Sequence, residues 1–384
     1  MTPPKPKAKL DGISNLLGAP VPAQTLHIFE EALENDWFDL HHLHRTLSYL
    51  AQAESLPLPF EPHIARHFCR WLCVINQPWF FPIITAPNRL RLAIGLLDEL
   101  GLNEPSVVAD VGTGQPPYTP LDLARSLPAA EVHGFDLYRA AWLVQEQDGS
   151  YGVFSEDFEL RAIHADSVER LAEMCADYET TRRRFSAALT APMEGQRIVR
   201  EPVLSELPED LAERIHLHKV SRGDFNLSAL EDQPVDLIWS FNCLLHYPAA
   251  DRSRHLAVMA RRLAPGGVVL EGYCSPSGKH MVLQQWRLET NELRCCRASF
   301  TAANLEYPLW PLHDDDPQVL WLGKLIGGIK RAHPQLLELP VAQRAEIATS
   351  QLSEYGIDVD QSGPWILASP KTSSDAFPPI PLSV

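Results

Sequence analysis

The sequence predicts an α/β fold: a mostly parallel sheet with helices on both faces, preceded by an all-helical N-terminal unit. Apolar residues recur at helical spacing over roughly the first hundred positions. From Ser106 onwards, short apolar runs of strand length alternate with stretches of helical periodicity, the pattern of a parallel sheet. A chain of 384 residues with 45% hydrophobic content can bury a core for one domain with insertions or for several domains.

Three blocks predict the helical unit. The first covers residues 24–53, the second covers 62–75, and the third ends at Gly101, a glycine of the kind that stops helices. The preceding residues are rich in Pro, Gly and Lys. We therefore expect a flexible N-terminus at 1–20 and a helical unit at 21–103, which serves either as a lid or as a dimerisation surface.

The strands of the predicted sheet follow in a regular order. VVADV (Val107–Val111) is apolar apart from Asp110, as expected for a strand buried on both faces. A helix, YTPLDLARSL, comes next, and the second strand ends at Asp136. The third strand is predicted at 214–225 and the fourth at 234–248, followed by a helix at 250–263 and a fifth strand at 264–276. A helix at 339–357 and a closing β-hairpin at 358–370 complete the pattern.

These elements define a domain over residues 104–370, interrupted at about 138–207 and 280–340. The first interruption contains the helical pattern SVERLAEMCADYETTRRRFSAAL, and both are predicted to be helical insertions. Insertions that follow the carboxyl ends of sheet strands usually cover the ligand crevice, so both are candidate walls of a binding site. The tail at 371–384 is rich in Pro and Ser and is expected to be disordered.

A glycine turn follows the first strand, in the stretch DVGTGQP. Gly112 and Gly114 fit the first two glycines of a dinucleotide-binding fingerprint, but Pro117 stands at the third. The same stretch resembles the first motif of class I S-adenosylmethionine-dependent methyltransferases, an acid followed by G-x-G-x-G. Asp110, Gly112 and Gly114 match that motif, and Pro116 replaces its third glycine.

The resemblance extends through four later segments, from about Ser106 to Gly272, and through the closing hairpin to about Ser369. It implies a Rossmann-like methyltransferase fold with a mostly parallel seven-stranded sheet whose last strand is antiparallel. It also implies S-adenosyl-L-methionine as cofactor: Asp110 near the ammonium, Asp136 on the ribose hydroxyls, and Asp224 near the adenine amino group with Phe225 beside the ring. The cofactor-binding residues implied are Asp110, Gly112, Gly114, Asp136, Asp224, Phe225 and Asn242.

The loop after the fourth strand, Asn242 to Tyr247, faces the methyl group in this family. His246 and Tyr247 are therefore the catalytic candidates. Because histidine side chains ordinarily titrate near neutral pH, His246 suits a base or a hydrogen-bond partner of the substrate. A loop that only packs against the cofactor is an open alternative. Asp236, at the start of that strand, is expected to be structural. No metal site is predicted, because HDDDP is better explained as a helix start with Pro317 at the first helical position.

The composition of the chain favours some classes of methyl acceptor over others. A net charge of −16 counts against a nucleic-acid partner. The leading hypothesis is methylation, at oxygen or nitrogen, of a small molecule such as a specialised metabolite. A protein or RNA methyltransferase is an alternative, supported by five arginines between Arg182 and Arg200, and a methyltransferase-like scaffold without methyl transfer is another. A homodimer through the helical unit stays open. Without an apolar leader or a membrane-length run, we expect a cytoplasmic protein with no membrane partner.

Overall fold

The structure is a computed structural model of the chain. It describes residues 21–34, 87–102, 104–114, 116–137, 141–165, 177–200, 207–221, 223–244, 247–274, 278–305, 317–369 and 380–382, together with positions 43, 47, 62, 65, 69, 170, 173 and 174.

Fourteen strands form in the described part of the chain, in two sheets. They are β1 Val107–Val111, β2 Glu131–Asp136, β3 Trp142–Gln145, β4 Tyr151–Phe154, β5 Leu160–His164, β6 Arg197–Arg200, β7 Ile215–Lys219, β8 Val235–Phe241, β9 Leu263–Cys274, β10 Met281–Glu289, β11 Glu292–Thr301, β12 Asp358–Ser362, β13 Trp365–Ser369 and β14 Ile380–Pro381. The main sheet has the order β12-β13-β11-β10-β9-β8-β1-β2-β7, and β14 pairs with β11.

The described residues also form eight α-helices. They are α1 Ala23–Glu34, α2 Arg91–Ile94, α3 Tyr118–Ser126, α4 Tyr178–Thr190, α5 Glu209–Ala212, α6 Ala249–Ala260, α7 Pro317–Ala332 and α8 Val341–Glu354, with short 3₁₀ turns at Ser228–Leu230, Ala302–Leu305 and Leu336–Glu338. Pro317 opens α7, as the sequence predicts, because a proline at the first helical position loses no intrahelical bond.

Five neighbouring strands, β7, β2, β1, β8 and β9, run parallel. All five residues of β1 are buried, which confirms the prediction of a strand covered on both faces. One apolar cluster contains Ala109 and Val111 of β1 together with side chains of α1, α6, α7 and α8. The other takes Val108 together with side chains of α3 and α5. The predicted α/β class, with a mostly parallel central sheet between helical layers, is therefore confirmed.

The prediction of a helical insertion at 138–207 is wrong in its main feature. Strands β3, β4, β5 and β6 form a separate antiparallel sheet there, in the order β5-β4-β3-β6, and α4 packs against it. The turn between β3 and β4 contains Asp148 and Gly149, and Gly149 has a φ of 82°. Asp-Gly is a strong hairpin signal because both residues tolerate positive φ, so this sequence could have predicted the first hairpin.

The prediction for 280–340 is also corrected. Its first half is not helical but forms the long hairpin of β10 and β11, which extends the main sheet beside β9. Thr290 and Asn291 make its two-residue turn, with φ of 51° and 85°. The main sheet consequently has ten strands instead of seven. The closing hairpin is confirmed as β12 and β13, which pair with each other and join the sheet through β11.

Within the predicted N-terminal helical unit, the structure describes two continuous helices, α1 and α2. Phe29 is fully buried in the same apolar cluster as α6 and α7, so α1 packs onto the domain. The aromatic residues from Trp71 to Phe81 lie outside the described residues, and the choice between a lid and a dimerisation surface stays a prediction, as do the domain boundaries. Among the described helices, none has the length and apolar character to cross a membrane.

Candidate functional site

Strand order locates the ligand crevice. The chain passes from β1 to β2 and β7 on one side, and then returns to β8 on the other side of β1. In open parallel sheets, ligands bind outside the carboxyl ends of the strands at such a reversal. The loops that follow β1, β2, β7 and β8 carry the predicted cofactor residues, so the topology brings the carboxyl ends of these four strands to one edge.

Asp110 lies at the centre of this edge and is 2% exposed. Its Oδ2 atom is buried and has no hydrogen-bond partner among the described atoms. Burial is the main cause that raises the pKa of this carboxyl to about 8; the negative charge of Asp136 adds to the shift, and Thr113 and Arg89 oppose it. A buried carboxyl oxygen without a partner among the described atoms suits a cationic ligand group, because a cation would favour the ionised form of the carboxyl.

The glycine turn comes into contact with the loop after β8. Gly112 has a φ of 78°, and a Cβ built there would lie 2.5 Å from the Cβ of Cys243. No residue with a side chain fits that contact, so glycine is required by space as well as by conformation. Burial, followed by the charges of Asp136 and Asp110, raises the pKa of the Cys243 thiol, which therefore stays protonated and is a wall of the crevice instead of a nucleophile.

Asp136 ends β2 and already holds the glycine turn. Its Oδ2 accepts a hydrogen bond from the backbone N–H of Gly114 at 2.8 Å, and Gly112 donates to the carbonyl of Phe135 at 2.9 Å. Gly114 has a φ of 72°. The structure thus brings Asp110, Gly112, Gly114 and Asp136 together, as the sequence predicts, and it adds a positioning role for Asp136. Their contacts with a cofactor stay a prediction.

Asn242 joins the ends of β8 and β9. Its Nδ2 donates to the carbonyl of Cys274 at 2.9 Å, and its Oδ1 accepts from the N–H of Cys274 at 2.8 Å. Its backbone is left-handed, with a φ of 57°, a conformation that asparagine tolerates better than most residues. Both side-chain ends of Asn242 therefore fix the shape of the loop, and its predicted cofactor contact remains to be tested.

Asp224 and Phe225 follow β7. Oδ1 of Asp224 accepts from the backbone N–H of Asn226 at 3.1 Å, which makes a local turn. Phe225 is buried, with its ring centre 4.0 Å from that of His255 and 5.6 Å, edge on, from that of Tyr247. The loops after β7 and β8 meet at this aromatic group. His246 lies outside the described residues, and the catalytic roles of His246 and Tyr247 stay predictions.

Asp236 has the structural role that the sequence predicts. Its Oδ2 accepts from the N–H groups of Ser106 at 2.7 Å and Val107 at 3.1 Å, so it fixes the start of β1 against β8.

A buried polar row crosses the sheet beside the crevice, and sequence reasoning missed it. Ser240, Glu271 and Gln284 stand opposite one another on β8, β9 and β10, and none is more than 2% exposed. Glu271 forms an ion pair with Arg252 of α6 at 2.7 Å. The sequence signal was a lone acid in the apolar run VVLEGY, since an acid in a buried strand needs a partner.

Comparisons with known proteins find one family and several solved methyltransferases. Residues 200–270 match a family model described as a methyltransferase domain. No curated protein matches the chain. An O-methyltransferase family protein from Burkholderia thailandensis is 12% identical, over 88% of this chain and 71% of its own, with a TM-score of 0.28. The glycopeptide N-methyltransferase MtfA, solved with S-adenosyl-L-methionine, is 12% identical over 74% of this chain and 93% of its own, with a TM-score of 0.29. The CcbJ methyltransferase from Streptomyces caelestis is 13% identical over 58% of this chain and 70% of its own, with a TM-score of 0.25.

The sheet order and the glycine turn define the class of protein: a Rossmann-like methyltransferase fold with a crevice at the carboxyl ends of its parallel strands. Residues 200–270 are similar to a methyltransferase domain family, and the glycine turn resembles the first motif of class I S-adenosylmethionine-dependent methyltransferases, whose cofactor is S-adenosylmethionine. Two observations make the crevice fit this cofactor: the buried Oδ2 of Asp110 has no partner among the described atoms, and only glycine permits the close approach at position 112.

Proposed function

We propose that this protein transfers the methyl group of S-adenosylmethionine to an oxygen or nitrogen atom of a small molecule, in the class of specialised metabolites. The observation that carries the proposal is the buried carboxyl of Asp110 directly before the glycine turn. S-adenosylmethionine supplies an activated methyl group on a sulfonium. The carbon–sulfur bond breaks as the bond to the acceptor atom forms, and the acceptor gives up its proton if it carries one.

The chain's own groups would divide the work of binding and positioning. Asp110, once ionised, attracts the ammonium end of the cofactor, and Gly112 permits a close backbone approach. Asp136 offers a carboxylate to the ribose hydroxyls while it holds the glycine turn through Gly114. His246 is the residue we assign to accept the proton of a hydroxyl or ammonium acceptor, with Tyr247 beside it.

A small acceptor is favoured over a nucleic acid by the charges of the molecule. The net charge is −16, and three of the five arginines from Arg182 to Arg200, in the inserted sheet and its helix, have local partners. Arg182 pairs with Glu179 at 2.9 Å, Arg184 pairs with Glu146 at 3.0 Å, and the Arg200 guanidinium lies over the ring of Trp142 at 5.6 Å. These contacts support a solvated helix face rather than a phosphate-binding surface.

The first test is calorimetric titration with S-adenosylmethionine and S-adenosylhomocysteine. We expect micromolar binding that Asp136→Ala weakens at least tenfold, about 1.4 kcal/mol. Asp360→Ala, which removes an exposed carboxylate on β12, is the matched control and should bind like the parent. Absence of binding by the folded parent protein would contradict the proposal and favour the scaffold hypothesis.

The acceptor class is tested with cofactor labelled in its methyl group. The protein is incubated with cell extract separated into small molecules, protein and RNA, and the label is followed in each fraction. Label in the small-molecule fraction supports the proposal, and label that precipitates with protein or RNA overturns it. The expected cytoplasmic location and the homodimer stay predictions, to be checked by cell fractionation and by light scattering.

A further inference from the structure

Three imidazoles and a carboxylate gather at the outer edge of the parallel sheet, where β2 pairs with β7. Glu131 and His133 are two residues apart on β2, and His216 and His218 are two apart on β7. The strand register places His133 opposite His216. Because side chains two apart on a strand, or opposite one another across a strand pair, share a face, these four residues form one cluster. The candidate ligand atoms of Glu131, His133 and His216 lie within 4.8 Å of one another.

His133 is the buried centre of this histidine cluster, at 7% exposure. Its Nδ1 lies 3.1 Å from Nε2 of His218, while its Nε2 is buried without a hydrogen-bond partner among the described atoms. If His133 Nδ1 donates its proton to His218, the Nε2 atom of His133 carries a lone pair. This Nε2 atom lies 3.8 Å from a carboxylate oxygen of Glu131, which is too far for a hydrogen bond.

The side chains around His133 are held in place by neighbouring residues. Gln233 donates to Oε2 of Glu131 at 3.1 Å and so orients the carboxylate. The ring of His216 lies 4.7 Å from the ring of His133, and the ring of His218 is nearly parallel to it at 5.3 Å. Ligating histidines usually donate their second ring N–H to a neighbouring group, which is the relation between His133 and His218.

We propose that Glu131, His133 and His216 bind one divalent transition-metal ion, with Zn²⁺ as the expected ion, and that His218 orients His133. Two imidazoles and one carboxylate are a known ligand set for zinc, and they leave a fourth position for water on the exposed side of Glu131. Ligand atoms at about 2.1 Å from a tetrahedral ion are about 3.4 Å apart, so small side-chain movements close the site. The ion would pin the edge strand β7 to β2.

The test uses full-length protein purified on a histidine-free affinity tag and freed of metal with a chelator. Zinc content after dialysis against Zn²⁺ gives the stoichiometry, a competing chelator gives the affinity, and Co²⁺ in place of Zn²⁺ reports the ligand set through its visible absorption bands. The variants are Glu131→Gln, whose exposed side chain can keep its contact with Gln233, and His216→Ala. His27→Ala removes an exposed imidazole on α1 and is the matched control.

We expect one equivalent of Zn²⁺ in the parent protein and in His27→Ala, and at least tenfold weaker binding in Glu131→Gln and in His216→Ala. His218→Phe should weaken binding about tenfold, as the loss of an orienting group does. Saturating Zn²⁺ should raise the melting temperature of the parent but not that of Glu131→Gln. No stoichiometric binding in the parent, or undiminished affinity in Glu131→Gln and His216→Ala, overturns the proposal. These measurements need no cofactor or acceptor, so their result is independent of the proposed methyl transfer.

Discussion

The two halves of the main sheet place their connections differently. In the parallel half, from β7 to β9, the loops after β1, β2, β7 and β8 meet at one edge. In the antiparallel half, two-residue turns join β10 to β11, at Thr290 and Asn291, and β12 to β13, whereas α7 and α8 lie between β11 and β12 along the chain. A parallel strand must be reached by a crossover, which collects loops at one edge, whereas a hairpin turn faces solvent. The candidate site therefore belongs to the parallel half because of connectivity.

The largest expected effect is at the seam between the halves. Arg252→Ala leaves Glu271 as a buried charge without its partner on α6, and it should cost about 3–5 kcal/mol of unfolding free energy. Replacing both groups, with Arg252→Met and Glu271→Leu together, should cost much less, because no charge is then buried. Denaturant unfolding measures both. Equal losses in the single and double variants would contradict the role given to the ion pair.

The next effect is a pH dependence at Asp110. Its pKa is about 8 in the folded protein, against an ordinary value of 3.8 for an aspartate in the unfolded chain, so the folded state holds more protons between these values. Stability should fall as pH rises from about 4 to 8 and level off above that. Because the ammonium of the cofactor needs the ionised form, cofactor affinity should instead rise, by about tenfold per pH unit below pH 8.

Calorimetry in buffers of different ionisation enthalpy would detect the proton that Asp110 releases on cofactor binding near pH 7. Asp110→Asn should abolish both the release and the pH slope. A parent protein that releases no proton would show that Asp110 does not meet the ammonium.

A smaller effect is expected from replacing a glycine by alanine, which can be compared between the parallel and the antiparallel half of the main sheet. Gly112→Ala places a Cβ against Cys243 and should weaken cofactor binding at least tenfold, about 1.4 kcal/mol. Gly356→Ala is the matched control: its φ of 76° is nearly that of Gly112, but no atom of the described residues lies within 4 Å of the added Cβ. The control should lose about 1–2 kcal/mol of stability from the left-handed backbone and no cofactor affinity. Calorimetry measures the affinity of both variants. Equal losses of cofactor affinity would contradict the argument that a Cβ at position 112 clashes with Cys243.

The smallest effect is a gain of stability in the antiparallel half. Thr290 is β-branched and has a φ of 51° in the turn between β10 and β11. Thr290→Asn should stabilise the protein by about 0.5–1 kcal/mol, because asparagine tolerates this region. Thermal unfolding checks it, and cofactor affinity should not change. A loss of stability would indicate that the threonine side chain has a packing role.

Local pattern predicted the parallel half well, because its strands and helices alternate along the chain as they do in a parallel sheet. Asp110, Gly112, Gly114 and Asp136 were found through the resemblance of their segments to the methyltransferase motifs. The same pattern failed to predict the strands in residues 138–207 and 280–340, because the runs that form these strands are less apolar. The turn signals at Gly149 and Asn291 carried the missing information, since a residue with positive φ in a short turn favours a hairpin.

The sequence by itself determined the class of fold, the parallel order of β1 and its neighbours, and the glycine turn, because these follow from apolar periodicity and from residues that only one backbone conformation suits. Tertiary structure decided which polar groups meet. The contact of Gly112 with Cys243, the pair of Arg252 with Glu271, and the gathering of Glu131, His133 and His216 all join residues from different elements. Register and packing set these distances, and neither can be read from a single segment.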